Sequence, residues 1–268
     1  MADDAFASFE RKWLDANPEQ AAVLIFLDAD ERRRASGFGT LVHELTQTTF
    51  GVRETQVAAA KLSWWRQELS GTARHPVTRE LFADARARAI EPAKWVALID
   101  AALSQLDSSS ASDFAQMRNQ FGVFYSPVAA IESELTNVGA TPTDHVANLW
   151  MCSHFLKASA SGSSFAEHFS LPLDLFARHG VAREASEKRN DVLRDFIGEV
   201  RETLQYSLAQ APHARVGCRV RARSDLKLAT DAIRSRDPAL SLTNCSQKPR
   251  LRHVWWAWQE ARAARRRT

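Results

Sequence analysis

A cation pair, two indoles and a carboxylate crowd one short stretch of this chain, Lys61-Leu62-Ser63-Trp64-Trp65-Arg66-Gln67-Glu68-Leu69. Leu62, Trp65 and Leu69 recur at i, i+3 and i+7, the period of one helix face. Lys61, Trp64 and Glu68 line an adjacent stripe. Two readings suit these residues. One is a core helix whose indoles fill volume. The other is a pocket wall bearing Arg66 and Glu68. A second concentration lies near the C-terminus. Arg215, Arg219, Arg221 and Arg223 cluster at the start of one expected helix, and Arg262, Arg265, Arg266 and Arg267 finish another that also carries Trp255 and Trp258. Indoles beside arginines suit an interfacial helix on an anionic membrane, and also RNA or an acidic protein. They equally suit tryptophans packed on a bundle and arginines complementing a helix C-terminus.

Much familiar chemistry is missing. The sequence contains no GxSxG elbow, P-loop or dinucleotide-binding glycine pattern. Its 8 histidines form no HExxH and no close i, i+4 pair, so each reads as a surface or satisfied polar residue. Cys152, Cys218 and Cys245 are odd in number, widely spaced and lack a CxxC, which favours a reducing compartment over a thiolate zinc site. With 268 residues, 45% hydrophobic and 25% charged, the composition is that of a soluble globular protein with a sizeable core. A formal net charge of +3 is too small to imply nucleic acid. No apolar run approaches the ~20 residues of a membrane span. Residues Met1 to Glu10 lack the basic start of a secretory signal. The expected location is cytoplasmic, with peripheral membrane contact as the alternative.

The elements that must position these residues read as helices. Asn17-Pro18-Glu19-Gln20 resembles a capped helix start, and the helix is expected to run to about Arg34. Gly37 and Gly39 are expected to break it before a short helix from Thr40 to Phe50. Next come about Glu54 to Ser70, closed by Gly71, then His75-Pro76-Val77 through Ala89, and Pro92 to about Leu106. After the loop Ser108-Ser109-Ser110-Ala111-Ser112, a long helix from Asp113 to about Val138 contains Pro127, which predicts a kink. Further helices are expected at Thr143 to about Ser159, from an opening at Leu171-Pro172-Leu173-Asp174 to Gly180, at about Arg183 to Gln210 and at about Arg219 to Ser235. The segment Asp237 to Pro249 reads as irregular. The last helix, at about 250–267, carries Val254-Trp255-Trp256-Ala257-Trp258. No alternating strand pattern and no solenoid repeat appear. The expected fold class is all-α, a single domain over residues 1–268 with about ten helices.

Three features together resemble the squalene/phytoene synthase family. The tryptophan-rich segment with His75-Pro76-Val77-Thr78 after it looks like that family's tryptophan-rich helix and the start of the next. Leu171-Pro172-Leu173-Asp174-Leu175-Phe176, with His179-Gly180-Val181, is similar to the segment that follows its second aspartate-rich helix. The order and length of the helices agree from roughly Pro18 to Pro212, with Leu24-Ile25-Phe26 falling where the first aspartate-rich helix is expected. The resemblance implies an isoprenoid-synthase bundle. Active members condense two prenyl diphosphates head to head, between two aspartate-rich motifs whose carboxylates hold magnesium against the leaving group. Carboxylates four apart share a helix face and so reach one ion cluster.

The sequence departs from that pattern at the motifs themselves. Setting Phe26 on the family's phenylalanine places Glu31 and Ala35 at the outer carboxylate positions of the first motif, followed by Arg32, Arg33 and Arg34. Asp28 and Asp30 stand nearby and supply ligands only under a shifted alignment. Counting back from Leu171-Pro172 sets His154-Phe155-Leu156-Lys157-Ala158 on the family's Asn-Ile-Leu-Arg-Asp. The two aspartate positions become Ala158 and Gly162, neither of which binds a metal. Lys157 remains as a point charge able to meet a phosphate.

The expected function is a relative without prenyl-transferase activity, no metal site and no cofactor, acting as a lipid- or isoprenoid-binding protein or as a protein-assembly factor. Other short members of the family also look degenerate in these motifs, and some are associated with assembly of respiratory complex I. The alternative is an active prenyl transferase using magnesium with Asp28, Asp30 and Glu31. Trp64, Trp65, Arg66 and Lys157 are the candidate binding residues. The expected partners are an isoprenoid or lipid ligand, a protein, or a membrane surface met by the last helix. Nucleic acid is disfavoured.

Overall fold

The computed structural model describes residues 2–71, 73–136, 142–160, 165, 169–182, 189–246 and 251–266. Expectations about Gly139, Gly162, the Ser161-Gly162-Ser163-Ser164 break, the start at Arg183 and Arg267 fall outside them. The described residues form fourteen helices and no strand. The all-α class holds, with more and shorter helices than the sequence suggests.

The chain opens on a helix the sequence reading passed over, α1 (Ala2–Ala16). Phe6, Phe9 and Trp13 give it an apolar stripe, and Trp13 is buried. A short α2 (Pro18–Leu24) follows, and then α3 (Ala29–Gly51). The expected helix to Arg34 therefore divides before Asp28. The reason is a local cap: the Asp28 carboxylate accepts the Glu31 N–H at 2.7 Å and starts a new helix there.

Gly37 and Gly39 do not stop α3. They are where neighbours cross closely. A Cβ on Gly39 would lie 2.4 Å from the Trp13 ring, and one on Gly37 3.1 Å from the Leu81 backbone. The cost of glycine in a helix is accepted for that approach.

The tryptophan-rich segment lies on α4 (Thr55–Ser70). Its C-cap is Gly71. The single helix expected from Pro76 to Ala89 is split into α5 (Pro76–Ala83) and α6 (Ala85–Ala89). Asp84 makes the split, accepting the Arg86 and Ala87 N–H groups at 2.9 and 3.2 Å while pairing with Arg34 at 2.9 Å. Then come α7 (Pro92–Gln105) and α8 (Phe114–Thr136), the latter helical on both sides of Pro127. Asp113 caps α8, accepting the Gln116 N–H at 2.8 Å.

The middle of the bundle is α9 (Thr143–Ala158), flanked by α8, by α11 (Arg189–Gln210) and by α12 (Val216–Arg234). Met151 to Leu156 are all buried, as expected of a helix without a solvent face. In chain order α9 is followed by α10 (Leu173–His179), which packs on α11 and is ended by Gly180 in the left-handed conformation at φ 62°. The segment expected to be irregular instead forms α13 (Pro238–Ser246), started by Asp237, which accepts the Leu240 N–H at 3.0 Å. Last is α14 (Leu251–Arg265), lying across α12 and α2. None of the described helices is long and apolar enough to cross a membrane.

Candidate functional site

The tryptophan-rich segment is a corner brace. Trp65 is 4% exposed and belongs to the core, whereas Trp64 is 44% exposed. Both meet the His75 ring edge-on, with centroids 5.4 Å from Trp64 and 5.0 Å from Trp65. Glu68 does not pair with Arg66. Its Oε1 accepts the N–H groups of Arg74 and His75, the latter at 2.6 Å, and the Thr78 hydroxyl at 2.6 Å. Burial pushes this carboxyl up, but the three hydrogen bonds outweigh it and hold Glu68 below the usual range. Arg66 reaches outward to Asp100 on α7 at 3.3 Å, where both side chains are half exposed. None of these residues lines the cavity described next.

That cavity, of about 70 Å³, lies where α3 faces α9. From α3 come Gly39, Val42, His43, Thr46 and Gln47, and from α9 Trp150, Ser153, His154 and Lys157. Trp13, Asn17, Tyr125 and Arg221 complete much of the wall. Of the candidate residues, Lys157 alone is on it. Its Nζ donates to Asn17 Oδ1 at 2.6 Å. Burial lowers its pKa, with Arg221 acting the same way and Glu19 and Asp225 opposing. Asp225 is in turn pushed up to about 6 by burial. Burial, with Lys157 nearby, drives His154 down to about 3, and burial with Lys157 and Lys12 takes His43 down to about 4. Both imidazoles are neutral at pH 7. The Arg221 guanidinium lies 3.5 Å from the centre of the Trp150 ring, whose Nε1 donates to Glu132 at 2.7 Å.

Magnesium does not fit this wall. A hard cation wants oxygen ligands, carboxylates foremost. The described lining residues include no carboxylate and do include a lysine and an arginine. Among the described residues, no group of three His, Cys, Asp or Glu side chains is placed to hold a metal ion.

The acidic candidates lie elsewhere. Asp28 caps α3, and Glu31 is exposed. Asp28 and Asp30 line an open cleft with Arg33, Arg34, Arg86 and Arg88. From Glu31 to Thr46 is about 22 Å along a helix, so these acids do not meet α9. Ala35 is buried away from the cavity, as is Ala158. The polar side chains of α3 on this cavity are His43, Thr46 and Gln47, none of which the sequence reading singled out. The signal for them was present: once Gly37 and Gly39 are read as close crossings, one helix continues to Phe50.

This is an all-α bundle of the isoprenoid-synthase type. A crystal structure of a dehydrosqualene synthase in complex with ligand is similar over 100% of this chain and 98% of its own, with a TM-score of 0.66 and 12% sequence identity. At that identity the likeness is one of fold. No family model matches the sequence, and no curated protein does.

Proposed function

We propose that this chain keeps the fold of the squalene/phytoene synthases without their chemistry, and works through its outer surface as a binding or assembly factor. The supporting observation is the wall between α3 and α9. Ionising a prenyl diphosphate requires positive metal charge held at the leaving group. Here the facing positions are His43, Thr46 and Gln47 against Ser153, His154 and Lys157. The space between them, about 70 Å³, compares with ~300–1,000 Å³ for small-molecule pockets. Trp13 and Tyr125 stand in its wall as buried side chains. An isoprenoid or lipid ligand therefore meets the exterior of the bundle.

Incubation of purified protein with farnesyl or geranylgeranyl diphosphate and magnesium tests this reading. The expected result is no diphosphate release above the protein-free control. Release that disappears in Asp28→Ala and Glu31→Ala would establish the transferase instead.

A further inference from the structure

The last helix is amphipathic the wrong way round. Its inward residues are His253, Ala257, Glu260 and Ala261. Glu260 is held by Arg219 at 2.7 Å and Arg223 at 2.8 Å, and His253 Nε2 is 3.2 Å from the Ser224 hydroxyl. The exposed residues are Leu251, Val254, Trp255, Trp258, Arg262, Arg265 and Arg266. Apart from Arg266 they follow i, i+3, i+4, i+7, i+11 and i+14, a single outward stripe. These polar groups, with Ala257 and Trp256 packed on Ala22, Val23 and Val220, anchor the helix to the bundle, while Leu251, Val254, Trp255 and Trp258 face solvent. Leu251 is 89% exposed and Trp255 56%. Burying such side chains inward is the ordinary outcome, so this stripe is positioned for something outside the chain.

Its chemistry selects the occupant. Trp255 and Trp258 stack at 4.9 Å, and the Arg262 guanidinium lies 5.3 Å from the Trp258 ring. The arginines then follow on the same side, and the only acid on the helix, Glu260, is buried inward. The turn after α2 adds to this end. Arg265 donates to Phe26 O at 3.3 Å and Arg32 Nε to Leu24 O at 3.0 Å, which brings the 64% exposed Ile25 alongside. Asp28 and Asp30, just beyond, sit in their own arginine-lined cleft. On α14 apolar and indole side chains are followed by arginines with no exposed acid, the exposed acids Asp28, Asp30 and Glu31 lying on the start of α3 beyond Ile25, and this pattern matches the headgroup layer of an anionic bilayer. Indoles settle at the interface and guanidiniums meet lipid phosphates.

We infer that the outward stripe of α14, with Ile25, docks this protein on anionic membrane surfaces, with the helix lying flat. This holds whether or not the cavity turns over a substrate.

Flotation of the full chain with vesicles of phosphatidylcholine and phosphatidylglycerol in equal parts tests it. The protein is expected to float with these vesicles, to remain at the bottom with pure phosphatidylcholine, and to be released by high salt. Trp255→Ser with Trp258→Ser should abolish flotation. Arg262→Gln with Arg266→Gln should weaken binding about fivefold per arginine. All four side chains are at the surface, and unchanged thermal unfolding would certify the variants as folded. Equal binding to neutral vesicles, or full binding by either folded variant, overturns the proposal. So does failure to float, including where the stripe instead retains RNA or an acidic protein.

Discussion

Two neighbouring residues of one motif do different work. Glu68 supplies a carboxylate to two backbone N–H groups and a hydroxyl at the corner between α4 and α5. Arg66 makes a half-exposed pair. Removing Glu68 leaves buried donors unsatisfied, so Glu68→Ala should cost about 3 kcal/mol. Arg66→Ala should cost less than about 1 kcal/mol. Urea denaturation of the two variants reads the contrast directly. The spacing of Lys61 to Leu69 marks a helix with one buried face. It does not reveal that Glu68 caps a turn, because its partners at Arg74, His75 and Thr78 come together only once the chain reverses.

The cavity histidines give a pH dependence with a definite sign. His43 and His154 titrate near 6.5 when unfolded and near 4 and 3 when folded. The stability they contribute is complete above about pH 6.5 and is lost as pH falls through the window below it. Asp225, raised to about 6, acts oppositely, since it takes up its proton more readily when folded. Two groups outweigh one. Stability should fall by on the order of 2 kcal/mol between pH 7 and 5. His154 lies among the Phe50 and Phe165 rings, with centroids at 4.6 and 4.9 Å. His154→Phe should therefore keep the packing and flatten the dependence. An unchanged slope in that variant would show that His154 is not the group responsible.

Among the elements, the crossing of α1 and α3 is the least legible in the sequence and the most consequential for the cavity. A glycine pair ordinarily signals a helix end. Here Gly39 is the seat of Trp13, and the helix expected to break there instead runs on to Gly51. Gly39→Ala gains helix propensity of ~1 kcal/mol but drives a methyl into the indole. Net destabilisation of about 1–3 kcal/mol is expected. In a Trp13→Ala background the same substitution should instead stabilise. A denaturation double-mutant cycle checks the coupling, and additive effects would refute the close crossing. The opposite wall was easier to read. The helix expected from Thr143 to about Ser159 forms as α9, and His154 and Lys157 on it line the cavity.

At the scale of the whole molecule, the helix order carried the fold, and a dehydrosqualene synthase shares it over nearly both full chains. A bundle can keep that architecture while its interior changes function, because the fold rests on packed apolar surfaces and the chemistry on a few facing side chains. In this chain the described wall between α3 and α9 holds Trp13, Tyr125, Lys157 and Arg221 and no carboxylate, which is the basis of the proposed loss of chemistry. Calorimetric titration with farnesyl thiodiphosphate, with and without magnesium, addresses that claim most directly. The analogue cannot turn over readily, so binding is seen apart from catalysis. The expected result is no magnesium-dependent heat in the wild type. Saturable binding that requires magnesium and is lost in Lys157→Met would contradict the account, since it would place a metal–diphosphate cluster against this wall.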